Sequence, residues 1–155
     1  MYVDSQTLVS GSINSSNVLS GQNITGTGQL QSNNAIDLTR PRNIALGTTL
    51  YMNWQVQEAV VGATNVEVQI IAADNSALTT NVQVLGSTGN IAVAGLTPGV
   101  RGSLAASVRT ADIGRRYVGA RYAISGTATA GRILAHINHE ATDGLVHYPA
   151  GAQIL

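Results

Sequence analysis

The chain has 155 residues, a normal size for one domain, and it has no cysteine, which excludes a disulfide framework and any thiolate metal site. Only 10% of its residues are charged, against about 25% in typical proteins, and every basic residue is arginine. The formal net charge is zero, which argues against nucleic-acid binding, and no apolar run is long enough to span a membrane. A neutral polar surface is typical of a protein packed against neighbours, and equally of a neutral viral or extracellular domain.

The first 33 residues are predicted to form an extended polar arm, and no secretory signal is expected at its start. Ser, Asn, Gly and Thr dominate residues 10–28, where Val18, Leu19 and Ile24 are isolated apolar positions. Such a stretch buries too little apolar surface to order by itself. Two interpretations remain open, namely an arm that orders on a partner subunit and a terminus made of surface loops.

Residues 34–139 are predicted to form an antiparallel β-sandwich, followed by a C-terminal tail over residues 140–155. Short runs rich in β-branched residues alternate with turn clusters, and no helical pattern separates them. Strands are expected at residues 35–38, 50–58, 65–73, 82–85, 91–93, 103–108, 117–125 and 133–138. Connections are expected at residues 60–63, 86–90, 112–114 and 126–131. About eight short strands of this spacing favour a two-sheet, jelly-roll-like closure.

Two local patterns support this assignment. Met52, Trp54 and Val56 alternate with polar residues, which puts them on the core face of a strand and makes Trp54 a core anchor. Residues 96–99 predict a tight turn, because Pro98 presets φ at one central position and Gly99 accepts a positive φ at the next.

Histidine and carboxylate patterns give no catalytic site. His136, His139 and Glu140 form an H-x-x-H-E run, but the segment is predicted to be a strand, and strand residues three apart point to opposite faces. We therefore expect surface or interface histidines and no metal site. The chain has no nucleophile elbow, no phosphate-binding loop and no evident carboxylate pair. We predict a protein that is not an enzyme and takes no cofactor.

Four arginines are candidate interface residues. Arg115 and Arg116 begin a predicted strand, while Arg40 and Arg42 flank Pro41. Arginine pairs with carboxylates through two parallel hydrogen bonds, which suits an interface. The alternative for both pairs is a solvated strand end.

The run from Arg115 to Gly131, RRYVGARYAISGTATAG, carries a resemblance to a known family. Together with residues 50–56 upstream and residues 133–137 downstream, it resembles the Bbp16-type family of phage capsid cement proteins, over roughly residues 35–138. The resemblance implies a small jelly roll on the outer surface of a virion, bound to an HK97-type shell. The implied partners are the major capsid protein and a second copy of the chain, as a homodimer on a twofold axis. The long N-terminal arm also permits a threefold axis, and with it a homotrimer.

The alternative hypothesis is a carbohydrate- or host-binding sandwich of a phage fibre or another surface structure. Such a domain would display aromatic side chains on its loops. The chain has six aromatics, and Tyr51, Trp54, Tyr117 and Tyr122 fall in predicted strands, which favours cementing over glycan binding.

Overall fold

The computed structural model describes residues 5–42, 49–106, 114–139 and 141. Its strands are β1 (Leu8–Ser10), β2 (Ser12–Ile13), β3 (Leu19–Ser20), β4 (Gln22–Asn23), β5 (Gly26–Gln31), β6 (Ile36–Arg42), β7 (Tyr51–Ala73), β8 (Gln83–Ala92), β9 (Arg101–Ala105) and β10 (Arg115–Asn138). A 3₁₀ helix at Val93–Gly95 is the one helical turn in these ranges, so they contain no helix that could cross a membrane. The predicted all-β class is confirmed.

Two long strands organise the fold. β7 has 23 residues and β10 has 24, and the two pair antiparallel along nearly their whole length, from Tyr117 opposite Ala73 to Asn138 opposite Tyr51. A straight strand of this length would be about 75 Å long, whereas a 155-residue domain has a radius of gyration of about 15 Å. The paired strands must therefore bend.

The bend lies where the β7–β10 register shifts repeatedly, between Ser125 and Ile133 on β10. Bulges of this kind bend a strand and increase its twist. Gly62 lies opposite the bend with a φ of 90°, and a Cβ there would lie 2.6 Å from the Thr127 carbonyl oxygen, so the bend requires glycine at this position. The predicted connections at residues 60–63 and 126–131 are wrong, because both segments continue their strands through bulges. The predicted connection at residues 86–90 is also wrong, since it lies within β8.

The bend produces two facing layers around one core. In the first layer, residues 51–58 of β7 and 132–138 of β10 lie between β9 on one side and β1 with β4 on the other. In the second layer, residues 65–73 and 117–125 lie between β8 and β5 with β6. The core cluster draws on both layers, with Met52 and Ile133 from the first and Val68 and Tyr122 from the second, all completely buried. The structure is thus a sandwich made by curling one antiparallel sheet.

The N-terminal segment is extended, as predicted, but it lies on its own chain. β1, β4 and β5 all pair with β10, while β2 and β3 form a small separate hairpin. Val9 and Ile24 are completely buried in the core. The expectation that this stretch cannot order without a partner is therefore corrected, because β10 supplies both its hydrogen bonds and an apolar face. The proposed division at residue 33 stays a prediction.

The local patterns are confirmed where the structure describes them. Met52, Trp54 and Val56 face the core. The Val100 N–H donates to the Thr97 carbonyl oxygen at 3.1 Å, and Gly99 has a φ of 91°, so the turn runs from Thr97 to Val100 as the Pro-Gly pair requires. The predicted turn at residues 112–114 and the tail at 140–155 fall almost entirely outside the described residues.

Candidate partner interface

The four predicted interface arginines lie at one end of the sandwich. β6 ends at Arg42, β10 begins at Arg115, and these two residues are direct cross-strand partners. Arg40 lies on β6 two residues before Arg42, and Arg116 follows Arg115 on β10. The two arginine pairs are about 75 positions apart in the sequence, and the β6–β10 pairing brings them together. We refer to Arg40, Arg42, Arg115 and Arg116 as the arginine end.

Arg116 is engaged within its own chain. Its Nε and Nη2 donate to the two carboxylate oxygens of Asp37, each at 2.8 Å, and its guanidinium lies 5.1 Å from the centre of the Tyr117 ring. The Arg116 hydrogen bonds, with a further one from the Thr39 N–H, lower the pKa of Asp37 to about 2. Asp37 therefore stays ionised over the whole neutral range, and the pair orders this strand end although both side chains are about two-fifths exposed.

Arg115 is held more loosely. Its Nη1 lies 3.6 Å from a carboxylate oxygen of Asp74, and its side chain is 21% exposed. The Arg115 Nε is buried and has no hydrogen-bond partner in the described part of the chain. Arg115 thus lies mostly beneath the surface, where it supports the ends of β7 and β10.

Arg40 and Arg42 lack the intramolecular ion pairs that Arg115 and Arg116 make with described residues. They are exposed, and neither side chain makes an ion pair or hydrogen bond to any residue that the structure describes. Asp37 and Asp74 face the two other arginines of this end, so within the described residues the arginine end has two more arginines than carboxylates. The structure therefore separates the four predicted residues into two that form ion pairs and two that have no charged partner within the described ranges.

A polar network that sequence reasoning missed covers the outer face of the second layer. Arg121 donates to Gln69 at 2.7 Å and to Gln29 at 3.0 Å, Gln69 donates to Glu67 at 2.8 Å, and Ser87 donates to the same carboxylate. The hydrogen bonds from Gln69 and Ser87 lower the pKa of Glu67. Strand alternation puts residues 67 and 69 on the wetter face, but only the register across β5, β10, β7 and β8 shows that they meet.

His136 corrects the expectation of surface histidines. It is only 3% exposed, neither ring nitrogen has a hydrogen-bond partner among the described residues, and burial lowers its pKa to about 4. His139, one residue beyond β10, is exposed. The described residues contain no group of three metal-binding side chains.

The aromatic side chains within the described ranges are at least partly buried. Trp54 is 6% exposed and Tyr122 is completely buried, while Tyr51 and Tyr117 are half-buried. The described loops thus display no aromatic cluster of the kind that binds sugar rings.

The described residues define an antiparallel β-sandwich with one hydrogen-bonded polar face and two exposed arginines at one end. The family model Bbp16 matches residues 18–137, and the chain belongs to the Bbp16 family. The match begins 17 residues before the predicted start of the resemblance, so the family pattern includes β3, β4 and β5. The chain is accordingly a phage-related structural protein. The comparison with curated proteins gives no match.

Proposed function

We propose that the chain is a non-enzymatic cement protein that binds the outer surface of a tailed-phage capsid and bridges adjacent major capsid protein subunits of an HK97-type shell. The observation that carries this proposal is the family match, which spans both layers of the sandwich and most of the N-terminal segment. A protein that binds only the assembled shell stabilises that shell by mass action.

The physical properties of the chain support this role. Neutral polar side chains cost less to desolvate than charged ones, and few charges need new partners at an interface. The network around Arg121 and Gln69 is already fixed by hydrogen bonds, so less side-chain entropy is lost when a neighbour packs against it. Many copies on a lattice add their weak contacts as avidity, and a homodimer or homotrimer would multiply this effect.

The test is co-sedimentation with undecorated capsids of the phage that encodes the chain. We expect saturable binding at a fixed ratio to the major capsid protein, together with a higher melting temperature of the shell. The ratio indicates the symmetry axis that is occupied, and the mass of the free chain in solution separates a dimer from a trimer.

A parallel incubation with host cells and their surface glycans tests the fibre hypothesis. Binding to cells without binding to mature shells would reject cementing in favour of a host-binding sandwich. The described surfaces offer no aromatic platform for that role, so we expect no retention on cells.

A further inference from the structure

Charge balance over the described residues identifies unusual cations at the arginine end. Each described acid has a local partner, namely Arg116 for Asp37, Arg115 for Asp74, Arg132 for Glu58, and the Gln69–Ser87 pair for Glu67. In a chain with so few charges, free cations stand out as sites of electrostatic complementarity. Three exposed arginines have no ion pair among the described residues, namely Arg40, Arg42 and Arg101. Arg40 and Arg42 lie together on one strand, whereas Arg101 lies alone at the start of β9.

The backbone around these two residues favours recognition through side chains. β6 pairs with β10 only, so its outer edge has no strand neighbour among the described residues. Pro41 lies between the two arginines and has no N–H to donate, and a proline at a strand edge discourages the addition of another strand. A partner at this edge would therefore contact the guanidinium groups rather than extend the sheet.

The spacing of Arg40 and Arg42 restricts the chemistry of that partner. Arg40 and Arg42 lie in the irregular part of β6, where the β6–β10 register shifts between Arg115 and Tyr117 and Thr39 has a φ of 67°. Two residues of extended chain separate their Cα atoms by at most about 7 Å. Two carboxylates at alternate positions of an extended segment have the same spacing, and each can accept two hydrogen bonds from one guanidinium. Nucleic acid is disfavoured, because the chain has no net positive charge.

We infer that Arg40 and Arg42 form an anchoring site for an acidic, extended protein segment on the capsid surface, with Arg115 and Arg116 holding the strand ends in place. This inference rests on the proposed function, of which it specifies the contact. It narrows the predicted interface from four arginines to two. Their side chains have no internal partner to give up in the described structure, so neutralising them should leave the fold intact.

The experiment compares capsid binding of Arg40→Gln/Arg42→Gln with that of the wild-type chain and of Arg101→Gln/Arg132→Gln. The control removes the same charge from exposed arginines away from the arginine end. We expect the first variant to raise the Kd about tenfold and the control to change it less than about twofold. Wild-type binding should weaken between about 0.05 M and 0.3 M NaCl, and the first variant should lose most of this salt dependence.

The outcomes separate the inference from the function on which it rests. If the wild-type chain does not bind shells, the proposed function fails. If it binds and the two double variants behave alike, cementing stands and the acidic anchor is refuted. A third measurement tests binding of the chain to a fluorescein-labelled DNA duplex. If the wild-type chain binds the duplex and Arg40→Gln/Arg42→Gln does not, the ligand of these two arginines is a phosphate and the acidic segment is refuted. Unchanged thermal unfolding of both variants verifies that the fold is intact.

Discussion

The buried hydrogen bond between Tyr122 and Ser10 tests how the N-terminal segment docks. The Tyr122 hydroxyl in the second layer donates to the Ser10 Oγ in β1 of the first layer at 2.7 Å, and both residues are completely buried. Burial also raises the pKa of Tyr122, so the phenol stays neutral and remains a donor. The bond crosses the core between segments 112 positions apart.

The two single substitutions should differ in cost. Ser10→Ala leaves the Tyr122 hydroxyl buried without its acceptor, which costs about 1–3 kcal/mol. Tyr122→Phe removes only the bond that Ser10 accepts, because the Ser10 hydroxyl can still donate to the Ile133 carbonyl oxygen at 3.2 Å or to Gln22 at 3.1 Å. Its cost is about 1 kcal/mol. The double variant should lose about 1 kcal/mol less stability than the sum of the two single-substitution costs, and this difference is the coupling free energy.

Urea unfolding measures these free energies, and Trp54 provides the signal because it is the only tryptophan and lies in the core. If the double-variant cost equals the sum of the two single costs within about 0.3 kcal/mol, the contact between Ser10 on β1 and Tyr122 on β10 is refuted. If the coupling is present but the urea midpoint changes with protein concentration, β1 is supplied by another copy of the chain. Coupling at a constant midpoint supports docking within one chain.

Two further predictions concern His136 and Trp54. Burial lowers the pKa of His136 from 6.5 to about 4, so the unfolded chain binds more protons than the folded chain between these pH values. The free energy of unfolding should therefore fall as the pH drops from 6.5 towards 4. Urea midpoints measured across this pH range should decline in the wild-type chain and stay nearly constant in His136→Leu. An equally steep decline in the variant would show that other groups cause the pH dependence. Gly102→Ala should destabilise the fold by about 1–3 kcal/mol and shift the Trp54 emission, because the added Cβ lies 2.9 Å from the indole ring. Gly95→Ala is the matched control, since its Cβ meets only one methyl group at 3.8 Å, and equal thermal shifts in the two variants would contradict this packing.

The sequence by itself determined the fold class and the local geometry. Alternation at Met52, Trp54 and Val56 identifies a core face, because a strand turns successive side chains to opposite sides. The Pro98–Gly99 pair predicts its turn, because both φ values are set within the dipeptide itself. The family resemblance likewise followed from the run between Arg115 and Gly131. These features depend on residues close together along the chain.

Only the tertiary structure decided which segments continue as strands and which polar groups meet. Gly62 at the bend has the local signature of a connection, and it lies within a continuous strand because β10 supplies hydrogen bonds across the bulge. Ile24 is an isolated apolar residue in a polar stretch, and it is buried because the curled sheet closes over it. Asp37 pairs with Arg116, and Arg40 has no ion pair with any described residue; this arrangement depends on the register between β6 and β10. Register joins residues far apart in sequence, and no short-range pattern of propensities encodes it.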